Sequence, residues 1–206
     1  MRAVVYRNYG PPDVLSPEEV PKPVPRDDEV LVRVRAAAVT AADRAARTGS
    51  PAYARFAFGL TRPKHAILGT ELAGEVEAVG RNAETFKEGD AVFAATGDDF
   101  GAHAEYLTLP AGGALALKPS NLTFQEAVAV SEGGLTALPF LREWGELKKG
   151  QRVLVNGAAG AVGTSAVQLA RYLGAEVTGV CSGKNTALVS ALGAHHVVDY
   201  TKEDFT

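Results

Sequence analysis

Glycines at 157, 160 and 163, in Gly157-Ala158-Ala159-Gly160-Ala161-Val162-Gly163, stand where a short apolar run gives way to an amphipathic one. Arg152-Val153-Leu154-Val155-Asn156 before them reads as a short buried strand. Val162, Ala166, Leu169, Ala170 and Leu173 after them recur at helical spacing until Gly174 supplies a stop. In that setting glycine permits a tight turn and a close approach of backbone to a pyrophosphate. The N–H groups and dipole of the following helix then favour an anion. The candidate contacts are Gly157, Ala159, Gly160, Ala161, Val162 and Gly163. The competing reading is a tight strand-to-helix turn with no ligand.

The end of the next strand, Glu176 to Cys181, decides which dinucleotide such a turn would hold. An Asp or Glu there would hydrogen-bond the adenosine ribose and repel a phosphate attached to it. The sequence instead offers Cys181-Ser182-Gly183-Lys184-Asn185. Ser182, Gly183 and Lys184 bring a hydroxyl, a flexible backbone and an ammonium, groups suited to the extra phosphate of NADP(H). The alternative is a polar loop with a solvated lysine. Tyr200, just past the third strand, either reaches the same phosphate region or caps the sheet edge. Cys181 reads as a small apolar residue ending a buried strand.

These residues need a scaffold, and the pattern supplies one. Strand, helix, strand, a second helix over 185–192 closed by Gly193, and a third strand at Val197-Val198 follow one another within about fifty residues, the build of a doubly wound parallel sheet. The preceding residues read differently. Val30, Val32 and Val34 alternate with Leu31, Arg33 and Arg35, and short segments at Gly74 to Val79 and Ala91 to Ala94 flank the turn-like Lys87-Glu88-Gly89-Asp90, so this half is predicted to be all-β. The proline-rich stretch from Pro11 to Asp28 is predicted to be an extended connection. Phe124 to Ala129 and Leu135 to Trp144 read as two helices, the second open to a kink at Pro139. The fold class is thus α/β with an all-β-rich N-terminal part.

With 206 residues, 46% hydrophobic and 22% charged, the chain can build one or two cores. A formal charge of -3 with both signs interspersed gives no footprint for nucleic acid or anionic membranes, so the expected partners are small molecules. No apolar run is long enough for a membrane span and the N-terminus lacks a signal-peptide pattern, which predicts a cytoplasmic protein. The single cysteine excludes an internal disulfide and any zinc site built from several thiolates. His65, His103, His195 and His196 lack a second ligand motif and read as surface or packing residues.

Several motifs in order carry a resemblance over nearly the whole chain: Gly69-Thr70-Glu71-Leu72-Ala73-Gly74 continuing to Gly80, Lys87-Glu88-Gly89-Asp90-Ala91-Val92-Phe93, Gly101-Ala102-His103-Ala104-Glu105-Tyr106, Gly134-Leu135-Thr136-Ala137, and the glycine turn. Together they resemble the medium-chain dehydrogenase/reductases, within them the zinc-independent, zeta-crystallin-like quinone oxidoreductases. The resemblance implies a GroES-like barrel domain over 1–123 and the first half of a Rossmann domain over 124–206. A full Rossmann sheet has six strands. The expectation is therefore of a chain cut within that domain, leaving a sheet edge that opens a route to homo-oligomers.

The same resemblance implies the chemistry. Thr40 and Thr70 stand where zinc-dependent relatives carry a cysteine and a histidine, and hydroxyls are poor zinc ligands, so no metal is expected. Without a Lewis acid, hydride transfer from NADPH is easiest to acceptors already activated, such as quinones, enones or other activated carbonyls. Tyr53, in the loop placed beside the substrate, is the first candidate for hydrogen-bonding the oxyanion, with Thr40 and Asp43 behind it. The other reading of Tyr53 is an aromatic packed with Phe56 and Phe58. Thr136 corresponds to a residue near the nicotinamide, or is a helix residue with no ligand contact. A zinc-free alcohol dehydrogenase is the alternative enzyme. A non-catalytic cofactor- or partner-binding module is the alternative if the chain natively ends at Thr206.

Overall fold

The computed structural model describes residues 1–205, which divide into two compact units, the first Met1–Ser131 and the second starting at Glu132. The first unit is built around two nine-residue strands rich in Val, Leu and Ala. β1 (Arg2–Val5) pairs antiparallel with β2 (Ser16–Glu19). β3 (Glu29–Ala37), β4 (Glu71–Val79), β5 (Ala91–Ala95), β6 (Tyr106–Pro110) and β7 (Leu115–Leu117) form an antiparallel sheet in the order β6-β3-β4-β5-β7. Its outer strands β6 and β7 are joined by residues 111–114 alone, folded back by the Gly113 N–H to Pro110 carbonyl bond. A flat five-stranded sheet would hold its edges about 19 Å apart, while the link fully extended spans only about 17 Å. The sheet therefore curls, helped by irregularities at Leu31/Val32 and Val34/Ala36. Its concave face packs Val30, Val32, Leu72, Val76, Phe86, Val92 and Leu109.

β2 corrects the reading of 11–28 as wholly extended. Proline is compatible with this strand because β2 has only β1 as a partner, so the N–H that Pro17 lacks is not required by a second strand. Between β3 and β4 lie α1 (Ala41–Thr48) and the short α2 (Arg55–Phe58). A reciprocal cap between Thr40 and Asp43 starts α1, and Gly49 at φ 58° ends it in the left-handed region. Tyr6 is buried against Ala46, Leu68 and Phe100. Burial, then negative charge at Tyr9 and Asp43, pushes its phenol up to about 12. The unfolded value is about 10, so the native state disfavours the phenolate. Stability from this group is complete below about pH 10 and lost as pH rises toward 12. Ultraviolet phenolate titration beside thermal unfolding should show one phenol titrating near 12 and stability falling across that interval. A Tyr6→Phe variant that falls identically would refute the assignment.

α3 (Phe124–Pro139) is one helix, not two. The helix runs through the glycine pair Gly133-Gly134, and Gly133 lies against Ala161 and Ser165. A Cβ at Gly133 would come within 2.6 Å of Ser165 Oγ and 2.8 Å of the Ala161 carbonyl oxygen. Pro139 lacks the N–H that would continue the ladder, and the chain widens into a π turn over Phe140–Trp144.

The second unit then forms β8 (Arg152–Asn156), α4 (Ala161–Tyr172), β9 (Glu176–Cys181), α5 (Thr186–Ala191) and β10 (His196–Asp199). The strands are parallel in the order β10-β9-β8. Alternate residues Val153, Val155, Val177, Cys181 and Val197 share one core with Val167 and Ala170 of α4 and Val189 of α5, so both helices cover the same face. Leu154 points the other way and is 49% exposed, which corrects the reading of β8 as a buried strand: among the described residues only one of its faces is covered.

Candidate functional site

In the second unit the glycine turn takes the form its sequence suggests. Gly157 leaves β8 at φ 74°, a left-handed conformation that side chains resist. Gly160 is the N-cap of α4 without a side-chain cap, so the first-turn N–H groups depend on other partners. Gly163 is glycine for a different reason: a Cβ there would overlap the Gly157 carbonyl oxygen and come within 2.8 Å of the Ala158 Cα. Ala158 is fully buried and its N–H donates to the Val180 carbonyl at 3.0 Å, which ties the turn to β9. Ala159 packs partly into the core, whereas Val162 is 41% exposed at the start of α4.

The second strand's end and the third strand's end lie side by side, since Cys181 pairs with Asp199 and the Tyr200 N–H donates to the Cys181 carbonyl. Ser182, Gly183, Lys184 and Tyr200 are therefore gathered at the same edge of the sheet as the glycine turn. Ser182 Oγ accepts from Asn185 Nδ2 at 3.2 Å, so its own proton is free to be donated elsewhere. The Lys184 side chain is exposed and Tyr200 largely so. Cys181 is buried, and that burial, then the charge of Asp199, pushes its thiol pKa up, which suits a packing residue and not a nucleophile. Thr136 is half-buried on α3, one turn beyond Gly133.

Sequence reading missed Asp199. No acid follows β9 in the chain, yet the last residue of β10 brings one beside the same turn. It does not face a ribose, because Oδ1 is occupied by the Thr201 N–H (3.1 Å) and hydroxyl (2.7 Å) and Oδ2 is buried. The Thr201 hydroxyl holds its carboxyl below the ordinary range, against the opposing effect of burial. Only proximity across a strand pair, invisible without the sheet order, could have revealed it.

In the first unit, Thr40 and Asp43 are brought together and Tyr53 is not joined to them. Asp43 is 3% exposed; its Oδ2 accepts from the Thr40 N–H (2.7 Å) and hydroxyl (3.0 Å), and its Oδ1 from the Gly69 N–H (2.8 Å). Both residues line a cavity of about 690 Å³ whose walls include Val4, Leu15, Val34 and Leu68. Tyr53 stands outside that lining, 74% exposed in a turn of 3₁₀ helix, with a phenol that hydrogen-bonds no described residue. Phe56 is likewise exposed, so the packing alternative applies to Phe58, edge-on to Phe100 at 5.8 Å, and not to Tyr53.

The histidines are used locally. His103 Nε2 meets the Ala38 carbonyl at 2.8 Å, His195 Nδ1 accepts from the Val177 N–H at 2.9 Å, His196 pairs with Glu176, and His65 lies against Phe100. Among the described residues no group of three or more His, Cys, Asp or Glu could hold a metal ion, and no helix is long and apolar enough to cross a membrane.

Residues 26–140 match the family model described as the alcohol dehydrogenase GroES-like domain. The chain belongs to the medium-chain dehydrogenase/reductase superfamily. Within that superfamily it is 34% identical over 207 residues to a human quinone oxidoreductase, covering all of this chain and 60% of the relative. It is 35% identical over 215 residues to an Arabidopsis thaliana NADPH-dependent alkenal/one oxidoreductase, covering 99% of this chain and 53% of the relative. The Escherichia coli quinone oxidoreductase complexed with NADPH superposes with a TM-score of 0.84 at 29% identity, covering 99% of this chain and 60% of that one. The chain thus spans about 60% of the length of the curated quinone oxidoreductases it matches. The α/β class with a GroES-like part and a Rossmann part agrees with these relatives.

Proposed function

We propose that this chain binds NADPH through the second unit and belongs to an oxidoreductase that reduces quinones or conjugated enones without a metal. The observation that carries the cofactor reading is the shared edge of the parallel sheet. There, a turn closed by Gly163 sits beside Ser182, Gly183, Lys184 and Tyr200, and no carboxylate is presented to a ribose. The backbone of Gly157 to Gly163 fits a pyrophosphate, the N-terminus of α4 favours its charge, and the Ser182 hydroxyl with the Lys184 ammonium fits the adenosine phosphate. Thr136 on α3 is the chain's candidate contact to the nicotinamide.

NADPH supplies a hydride when bound. Conversion of a quinone to a hydroquinone needs one proton besides, and so does conversion of an enone to a saturated ketone. Of the three candidate residues, Thr40 donates its hydroxyl to Asp43, and the Asp43 carboxylate, an acceptor, is committed to Thr40 and to the Gly69 N–H. Tyr53 keeps a free O–H, and it is the residue assigned to hydrogen-bond the developing oxyanion, with the proton delivered by its phenol or by water. The Thr40 commitment also supports metal-free chemistry, since this hydroxyl caps a helix where zinc-dependent relatives carry a thiolate.

Thermal unfolding with NADPH and NADH in parallel tests the cofactor reading, because a ligand specific to the native state raises the midpoint. NADPH should raise it and NADH should raise it less. Lys184→Ala should weaken NADPH by about tenfold, the loss of one charge-assisted contact, and leave NADH unchanged. No shift with either dinucleotide in the wild type would remove the cofactor reading.

A further inference from the structure

Asp199 is 6% exposed, and its Oδ2 is the one buried side-chain oxygen or nitrogen among the described residues that lacks a hydrogen bond. A carboxylate oxygen in that state is unfavourable, so its retention calls for a reason. The surroundings supply one. Oδ2 lies against Gly183, where a Cβ would overlap it, and Lys202 Nζ stands 3.5 Å away, close enough for ionic attraction but long for a hydrogen bond. The φ of Gly183 lies outside the left-handed region, so backbone conformation does not demand glycine there. Room for the carboxylate does. On its other side Oδ1 fixes Thr201, and the intervening Tyr200 is tied to Cys181.

One carboxylate thus spaces two loops, the Ser182–Lys184 turn on one side and Tyr200–Lys202 on the other. Oδ2 is buried and Oδ1 is engaged by Thr201. We infer that Asp199 is a positioning residue that sets the preference for NADPH over NADH, by holding Gly183 and Lys202 so that Ser182, Lys184, Tyr200 and Lys202 surround the adenosine phosphate. This rests on the NADPH reading above. Charge alone works in the opposite direction, because a carboxylate near a phosphate repels it. Position and charge therefore predict opposite outcomes for the same substitution.

Dissociation constants for NADPH and NADH, with thermal midpoints, are measured for the wild type, Asp199→Asn and Gly183→Ala. Asp199→Asn keeps the shape and the acceptor for Thr201 while turning an amide N–H₂ toward Lys202. Gly183→Ala pushes on the same contact from the opposite side with no change of charge. Both variants are expected to lower the NADPH-over-NADH ratio by about fivefold or more, with NADH affinity within about twofold of wild type. A rise in the ratio for Asp199→Asn shows that the carboxylate acts as a repelling charge and overturns the proposal. Equal losses for both dinucleotides, with a lowered midpoint, make Asp199 a fold residue and also overturn it. A wild type that binds NADPH but shows no preference removes this proposal alone, whereas one that binds neither dinucleotide removes the cofactor reading beneath it.

Discussion

Gly163→Ala should weaken NADPH by tenfold or more while leaving the first unit unchanged. The added Cβ would overlap the Gly157 carbonyl oxygen and crowd the Ala158 Cα at 2.8 Å. Backbone cannot swing aside as a side-chain tip can, so α4 must move away from β8 or the turn must open. Overpacking of this kind typically costs about 1–3 kcal/mol. If the displacement falls on the groups that would cradle the pyrophosphate, 1.4 kcal/mol already corresponds to about tenfold in affinity. A fluorescence titration with NADPH reads the binding loss, and a thermal scan reads a midpoint lower by about 2–4 °C for each kcal/mol in a chain of this size. Unchanged affinity in a folded Gly163→Ala protein would show that the turn is a structural joint with no cofactor role.

Asp43→Ala should unfold the first unit more easily by about 3–4 kcal/mol, a midpoint drop of about 10 °C. The carboxylate is 3% exposed and accepts three hydrogen bonds, from the Thr40 N–H, the Thr40 hydroxyl and the Gly69 N–H. Truncation removes the cap of α1 and leaves the Gly69 N–H without its acceptor in a buried site. Asp43→Asn should fall between, because one carbonyl oxygen can serve Thr40 or Gly69 but not both. Chemical denaturation of the three proteins orders them. If Asp43→Ala keeps wild-type stability and the proposed NADPH-dependent reduction is nonetheless lost, Asp43 acts in chemistry and not as the strut described here.

Much of this was legible in the residues. The alternating segments before Thr123 lie in the antiparallel sheet and the strand-helix-strand pattern from Arg152 in the parallel one, and the glycine turn sits between β8 and α4 as its spacing suggests. What escaped sequence reading depends on neighbours distant in the chain. Phe124 to Ala129 and Leu135 to Trp144 read as two helices, yet α3 runs unbroken through Gly133-Gly134 to Pro139, with Gly133 packed against Ala161 and Ser165. Leu154 reads as core because its residue type is apolar, yet burial is a property of a face, and both helices cover the other one. Pro17 argues against a strand until β2 proves to have β1 as its only partner. The residues rank Tyr53 ahead of Thr40 and Asp43 but do not show which of the three keeps a free proton. Hydrogen bonding separates them, leaving the phenol alone with an uncommitted proton.

The two sheets also differ in how their partners are spread along the chain. Arg152 of β8 finds Glu176 of β9 across a single helix, and β10 follows in the same way, so each pairing joins consecutive strands. In the first unit Glu29 pairs with Pro110, about 80 residues later, and the sheet cannot curl until that pair has met. Closing so long a loop spends entropy before any contact repays it, and folding rates fall as contacts become less local. The parallel half can thus assemble early from local pieces, while the antiparallel half waits on its longest closure. Refolding of this chain is accordingly expected to be limited by the unit holding Asp43 and Tyr53.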